Sequence, residues 1–540
     1  MIEKTLKLIE QVYPKYLVLL VLIPVILGYI INFDVSDKYG ILSNLLWIPI
    51  LTIPYYLTKK KIFYQLVVIV YFIIGTLEIT HWLIMKGPLS VASLLATSNT
   101  NFEEASGFVG IQAASLLLFL VPYFILFYLN LINFPKKYNS KYRFFLFGII
   151  LLLIGLFSFT SSTSEFLVKG TPQFARVSYS FVSDFRKYSK AIESNDLKVV
   201  EAKQISDYDQ QLFVLIIGES GSRNHMSLYN YRKETNPKLK KRKDIIVFDD
   251  VVSPYSNTIE TVMSMITESN LENKLPFYES KDLIDVFHSV GFKTFWISNQ
   301  PPFGWAENLI SSIGGKTTVQ NFVNTLNNSS YESDFNSSYD EKIFEPFAGA
   351  LKDKASKKFV IIHLMGSHLL YDKRYPEEFD VFKGKTEKSQ LIAQYDNSII
   401  YNDFIIDRLF HMMKSNSIKN TKQITSAIYL SDHGENVYDE NNTLGHYAVG
   451  SFPKSNVEIP FLVWLSPSLK ISDPAKVNTI ESNIHKPFVS DDVFHTILDL
   501  NKIESPLLIR ERSLFNLEFN DKRIRVLSDG KDYDKKVRKN

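Results

Sequence analysis

Three apolar runs in this chain each end in residues that can hold a cation. Leu212–Ile217 runs into Gly218-Glu219-Ser220. Phe359–Leu364 contains His363 and continues to Gly366-Ser367-His368. Ala427–Leu430 runs into Ser431-Asp432-His433-Gly434-Glu435, and His446 follows in Leu444-Gly445-His446-Tyr447. The chain has no cysteine, which excludes thiolate zinc sites, iron–sulfur clusters, disulfides and cysteine nucleophiles. A donor set of carboxylates and imidazoles suits zinc, with manganese second. Such a centre alone would suggest hydrolysis by bound hydroxide. Taken singly, each residue has an ordinary alternative as a helix cap or loop bond. The set is harder to dismiss, with Glu435 expected to support a ligand or cap a helix rather than to bind.

A second segment offers a nucleophile. Ser253-Pro254-Tyr255-Ser256-Asn257-Thr258-Ile259-Glu260-Thr261 follows an apolar run and precedes a helical pattern over Ile259–Glu268. A hydroxyl at a helix start benefits from free backbone N–H groups and the helix dipole, both of which favour a phosphate. A neighbouring metal activates such a hydroxyl for attack. The ordinary alternative is an N-cap. Residue type alone leaves Ser256, Thr258 and Thr261 open.

These residues need a scaffold, and the pattern from about residue 206 onward describes one. Apolar runs at Leu212–Ile217, Ile245–Val252, Lys293–Ser298, Phe359–Leu364, Ala427–Leu430 and Pro460–Leu465 alternate with helical stretches such as Leu283–Val290, Gln390–Lys414 and Asp491–Leu500. The alternation predicts an α/β domain with a mostly parallel central sheet covered by helices. Ligands of such sheets bind beyond the carboxyl ends of the strands. Asn321–Lys342 reads as a surface loop, and the charged tail Asp521–Asn540 as frayed. His225, His288, His411, His485 and His495 are expected at surface or helix positions without a chemical role.

The first 164 residues are of another kind. Five apolar runs, Tyr16–Asn32, Ile41–Leu57, Ile62–Trp82, Phe108–Phe134 and Phe144–Ser164, approach the ~20 residues that a membrane-spanning helix needs. Lys4, Lys7, Lys15, Lys59, Lys60, Lys61, Lys136, Lys137, Lys141 and Arg143 fall on one side of these runs, against Lys38 and Lys86 on the other. The cation-rich side is the cytoplasmic one, which puts the α/β part outside. The expected organisation is a five-span α-helical membrane domain at 1–164, an amphipathic linker at 165–205 and an outer domain at 206–540. The loop Met85–Gly107 carries Thr100 and Glu104, which on composition alone are solvated interfacial residues. A net charge of +3 gives no field for nucleic acid.

The segments Val214-Leu215-Ile216-Ile217-Gly218-Glu219-Ser220 to Arg223, Ser227-Leu228-Tyr229-Asn230-Tyr231, Glu234-Thr235-Asn236-Pro237, Ser256-Asn257-Thr258, His363-Leu364-Met365-Gly366-Ser367-His368, Tyr395-Asp396-Asn397-Ser398 and Ser431-Asp432-His433-Gly434-Glu435 together resemble the bacterial phosphoethanolamine transferases. These belong to the alkaline phosphatase and sulfatase superfamily. They modify lipopolysaccharide, and some confer polymyxin resistance. The resemblance covers nearly the whole chain, five spans included. It implies Glu219, Asp432, His433 and Thr258 as ligands of one zinc, with the number of further zinc ions open. Thr258 becomes the nucleophile that carries a phosphothreonine-type intermediate. His368 and His446 are implied to meet the substrate phosphate or a second zinc, and His363 to be another active-site histidine. Asn299, in Trp296-Ile297-Ser298-Asn299-Gln300, is implied to bind substrate, in a motif that resembles the branch acting on core sugars. Thr100 and Glu104 match residues that meet the lipid head group, although Ala96 stands where many relatives have asparagine. The implied donor is phosphatidylethanolamine and the implied acceptor lipopolysaccharide, as lipid A or core sugar, or another surface glycan. The implied location is the bacterial inner membrane with a periplasmic catalytic domain. The alternatives are a phosphoglycerol transferase using phosphatidylglycerol and a catalytically inactive membrane receptor or scaffold.

Overall fold

The computed structural model describes residues 14–33, 36–58, 60–85, 87–89, 102–135, 170–182, 196–206, 208–300, 305–324, 338–440, 442–446 and 452–538. The chain divides into two compact units.

The N-terminal unit holds α1 (Lys15–Ile31), α2 (Gly40–Thr58), α3 (Lys61–Met85) and α4 (Phe102–Ile132). Among the described residues, three helices, Gly40–Thr58, Lys61–Ile84 and Ala113–Ile132, are long and apolar enough to cross a membrane. The first is shorter, at 17 residues. The sequence reading expects five spans; its fifth run, 144–164, lies outside the described residues. The helices meet through Leu17, Leu20, Ile48, Tyr64, Val68, Ile79 and Tyr123. Polar side chains join them where no water competes: Tyr123 donates to the Leu20 carbonyl at 2.9 Å, and Asn130 to that of Tyr16 at 2.9 Å. Ile30, Leu117, Leu118, Phe124 and Ile125 turn outward, as a lipid-facing surface requires. Of the expected linker, a helix at 173–182 is described. Arg176 pairs with Asp37 at 2.8 Å.

The C-terminal unit is built on a seven-stranded sheet: β1 (Gln211–Gly218), β2 (Ile245–Phe248), β3 (Lys293–Ser298), β4 (Val319–Phe322), β5 (Lys357–His363), β6 (Ile424–Ser431) and β7 (Phe461–Leu465). Their order across the sheet is β2-β7-β6-β1-β5-β3-β4. The sheet is mixed, where the alternation of runs led to the expectation of a mostly parallel one. Strand β7 pairs antiparallel with both β2 and β6. An apolar run buried on both faces carries no mark of its direction, so this reversal is not readable from the run. β4 falls partly inside a segment expected to be a loop, and the Ile245–Val252 run breaks into β2 and a two-residue strand, Val251–Val252.

Strand β1 is buried at every position, which suits a continuous apolar run covered on both faces. Register does the positioning. Ile217 pairs with His363, and Gly218 with Ser431. The residues that follow, Glu219 and Asp432, therefore emerge side by side at the carboxyl ends of neighbouring strands. Two helices complete the site. Helix α5 (Thr258–Ile266) buries Ile259, Val262, Met263, Met265 and Ile266. Helix α6 (Glu387–Lys419) starts with a capping box between Thr386 and Ser389.

The tail is not frayed over its described length. Arg525 is 1% exposed, forked on Asp250 at 2.8 and 3.3 Å and paired with Asp534, while Tyr533 is fully buried. A run rich in charge reads as solvated unless its partners are known, and Asp250 lies far upstream.

Candidate metal centre

Glu219 leaves β1 through a strained turn, with Ser220 at φ 55°, a left-handed conformation uncommon for a non-glycine residue. The Ser220 amide donates to Asp432 Oδ1 at 2.9 Å and its hydroxyl to Glu219 Oε1 at 2.8 Å. The same Asp432 oxygen accepts from the His433 amide at 2.6 Å. His433 has Nδ1 2.8 Å from the Gly434 carbonyl, so Nδ1 carries a proton and Nε2 is the nitrogen turned to the carboxylates. Nε2 lies 3.4 Å from Glu219 Oε1 and 3.3 Å from Asp432 Oδ2. All three side chains are buried.

Asp432 Oδ2 is buried with no hydrogen-bond partner. Burial, with the Glu219 charge added to it, pushes the Asp432 carboxyl up to about 8. Burial opposes a charge on His433, yet Asp432 and Glu219 raise it to about 10. Without a metal, the proton on His433 is the positive charge that the two acids share, and a divalent cation held by Glu219, Asp432 and His433 would take its place. The donor set fits zinc.

Thr258 opens α5 directly on this cluster. Its hydroxyl donates to Glu219 at 3.2–3.3 Å and lies 3.4 Å from His433 Nε2. Thr261 instead donates to the Asn257 carbonyl at 2.7 Å. Of the three hydroxyls left open by residue type, the one at 258 meets the cluster through these bonds. The Asn257 side chain caps the helix by accepting from the Glu260 amide at 3.3 Å.

Around the cluster stand the histidines. His446 has Nδ1 2.7 Å from Glu435 Oε2 and its ring 4.4 Å from that of His433. Tyr371 donates to the other Glu435 oxygen at 2.7 Å, so Glu435 orients His446 and caps no helix. His433, Glu435 and His446 form a second group with metal-ligand spacing. His363 is buried at the end of β5, and neither ring nitrogen has a partner; burial pushes it down to about 4. His368 is near enough to act on the Glu219 charge.

Other residues support the site, and one of them, Asp340, went unread in the sequence. Asp340 accepts from the amides of Met365 and Gly366 at 2.8 and 2.9 Å. Gly366 has φ +59°, and an added Cβ would sit 2.5 Å from the Glu219 carbonyl oxygen. Glycine is required there on both counts. Tyr395 on α6 donates to the Ser220 carbonyl at 2.7 Å and accepts from the Ser222 amide at 2.9 Å, bracing the strained turn. Asn299 is fully buried and donates to Ser338 and Asp340 at 2.9 and 2.8 Å; it holds the loop behind Gly366. Thr100 lies outside the described residues, and so does the side chain of Glu104. His225, expected at a surface or helix position, closes a 3-10 turn at Arg223–His225, is 2% exposed and sits between Asp396 at 2.6 Å and Asp439 at 2.9 Å.

Residues 211–503 match the sulfatase family. The phosphoethanolamine transferase EptC of Escherichia coli K12 is 27% identical over 525 residues, covering 90% of this chain and 88% of that protein. Among solved structures, the C-terminal periplasmic domain of EcEptC from Escherichia coli in complex with Zn is 29% identical. It covers 63% of this chain and 97% of its own, with a TM-score of 0.56. The integral membrane lipooligosaccharide phosphoethanolamine transferase A from Neisseria meningitidis covers 92% of this chain and 97% of its own, at TM-score 0.66 and 19% identity, a likeness of fold.

Proposed function

The chain belongs to the sulfatase family, and from that membership we propose that it is a membrane-bound, zinc-dependent phosphoethanolamine transferase. The donor is phosphatidylethanolamine. The acceptor is lipopolysaccharide, at lipid A or a core sugar. The enzyme sits in the bacterial inner membrane with its catalytic domain in the periplasm. One observation carries the reading: the Thr258 hydroxyl, at a helix start, lies within 3.4 Å of both Glu219 and His433, beside a buried carboxylate oxygen that lacks a partner.

Thr258 Oγ1 forms a bond to phosphorus as the bond from phosphorus to the diacylglycerol oxygen breaks. The hydroxyl proton is already directed at the Glu219 carboxylate. Backbone N–H groups of the first turn of α5 face the phosphoryl oxygens. His446, oriented by Glu435, and His368 are placed to give a proton to the departing glycerol oxygen and to take one from the acceptor. In the second step an acceptor oxygen bonds to phosphorus, the Oγ1–phosphorus bond breaks, and Thr258 regains its proton. Zinc held by Glu219, Asp432 and His433, with Thr258 beside it, supplies positive charge that makes the hydroxyl more acidic and offsets the phosphoryl charge. The membrane unit gathers a lipid donor and a glycolipid acceptor on one surface.

The test is peptide mass spectrometry of the full-length protein incubated with zinc and phosphatidylethanolamine or phosphatidylglycerol, without acceptor. A phosphoethanolamine adduct on Thr258, absent from Thr258→Ala, is the expected result. A phosphoglycerol adduct would change the donor, and full turnover by Thr258→Ala would overturn the mechanism.

A further inference from the structure

His225 takes no part in the chemistry above, yet both its ring nitrogens are engaged. Nδ1 lies 2.6 Å from Asp396 Oδ1, and Nε2 lies 2.9 Å from Asp439 Oδ1. Ionised carboxylates only accept, so each nitrogen donates and the ring is a cation. Tyr231 and Tyr395 pack on it with ring centres 4.8 and 4.9 Å away. Lys233 and Tyr231 donate to the other Asp396 oxygen at 2.5 and 3.2 Å. The ring is thus held from every side, and it bridges two acids that would otherwise repel each other.

The bridge joins segments that carry the site. His225 ends the short stretch that leaves Glu219, and Asp396 adjoins Tyr395, which braces the Ser220 turn. Asp439 lies in the turn of a hairpin whose strands, Asn436–Val437 and Leu444–Gly445, pair antiparallel. Glu435 and His446 are the next residues outward on those strands, at the open end of the hairpin. A hairpin this short is marginal by itself, so its outer contacts decide where it lies. Asp439 Oδ2 accepts from the Val437 amide at 3.0 Å while Oδ1 meets His225, so the tether reaches the first strand directly. Glu440 accepts from the Lys454 and Ser455 amides at 3.0 and 3.2 Å, which ties the turn to another segment; the His225 contact ties it to the Glu219 side. We propose that His225 is a positioning residue for His446: through Asp439 it fixes the hairpin that presents His446 and Glu435 against the segment that presents Glu219. The inference rests on the transferase reading above and deepens it. His225 acts through the backbone it holds and takes no part in the bond changes.

The test is a mutant cycle on the first step. Full-length protein in detergent with zinc is mixed with phosphatidylethanolamine over a range of concentrations, without acceptor. First-turnover release of diacylglycerol gives a maximal rate and a half-saturating concentration. His225→Gln should lower the maximal rate by about 10–100-fold, the scale for misplacing a catalytic group, with the half-saturating concentration and the zinc content unchanged. The double variant His225→Gln, His446→Ala should be no slower than His446→Ala alone, because nothing is then left to position. Asp439→Asn should match His225→Gln, and Asp439→Glu, which keeps the charge, should recover part of the rate. Losses that multiply in the double variant would mark a merely structural role and overturn this inference alone. So would an unchanged rate in His225→Gln, or a loss confined to the half-saturating concentration. If His225→Gln does not fold, Asp439→Asn, at the partly exposed end of the contact, takes its place in the cycle. A wild type that releases no diacylglycerol overturns the transferase reading and this inference with it.

Discussion

Glu435 Oε2 lies 2.7 Å from His446 Nδ1 while its other oxygen accepts from Tyr371 at 2.7 Å. The carboxylate thus fixes both the tautomer and the ring plane of a histidine that packs on His433, a candidate metal ligand. Removing its charge should harm the histidine's work without emptying the metal site. Glu435→Gln is expected to lower kcat by about 10–100-fold, the usual cost of losing such an outer partner. Zinc content measured by elemental analysis should stay near that of the wild type. Parallel loss of zinc would instead make Glu435 a ligand.

Gly366 gives a test of the scaffold. A methyl group there meets the Glu219 carbonyl oxygen at 2.5 Å, and the φ of +59° disfavours any side chain. Gly366→Ala should destabilise the protein by about 1–3 kcal/mol and displace Glu219. The measurements are the thermal midpoint and the zinc content, and both should fall.

His225 makes stability depend on pH. Burial alone would lower its pKa, but Asp396 and Asp439 outweigh it and raise the group to about 9. A raised histidine contributes stability fully below its unfolded value near 6.5 and loses it as pH rises through about 9. The contribution is about 3 kcal/mol. Denaturant unfolding at pH 6 and pH 9.5 should show a larger drop for the wild type than for His225→Gln.

Arg525 is buried and forked on Asp250, itself mostly buried, and pairs at its outer side with the exposed Asp534. Arg525→Ala leaves Asp250 without its fork and should cost about 3–5 kcal/mol, the range for breaking a buried pair. The readout is the denaturation midpoint. An unchanged midpoint would mean that the tail adds nothing to the fold.

Much of this site is legible in the sequence, for a physical reason. Apolar runs mark buried strands, and the polar residues straight after them must emerge at strand ends. The ends of β1 and β6 could be expected to converge because both strands are long and apolar, while the family resemblance singled out Glu219, Asp432 and His433 there. Asp340 could not be found this way. It is joined to Met365 and Gly366 only by the folding of an intervening segment, and its acid looks like any surface acid. The reversed strand β7 and the buried tail escaped for related reasons: direction and long-range pairing leave no periodic trace. The burial of His225 could not be read because its two carboxylate partners come from α6 and from a turn after β6, more than 170 positions away.

The register between β1 and β6 has a temporal consequence. Glu219 and Asp432 are neighbours across the sheet, yet the Ser220–Asp432 bond closes a loop of 212 residues. Closing so long a loop is slow and comes late, after more local structure has formed. A chain crossing the membrane N-terminus first presents Glu219 and Thr258 long before it presents Asp432 and His433. A metal held by Glu219, Asp432 and His433 would therefore be captured only at the end of assembly, and an unfinished chain would be spared both the cation and the chemistry proposed for it.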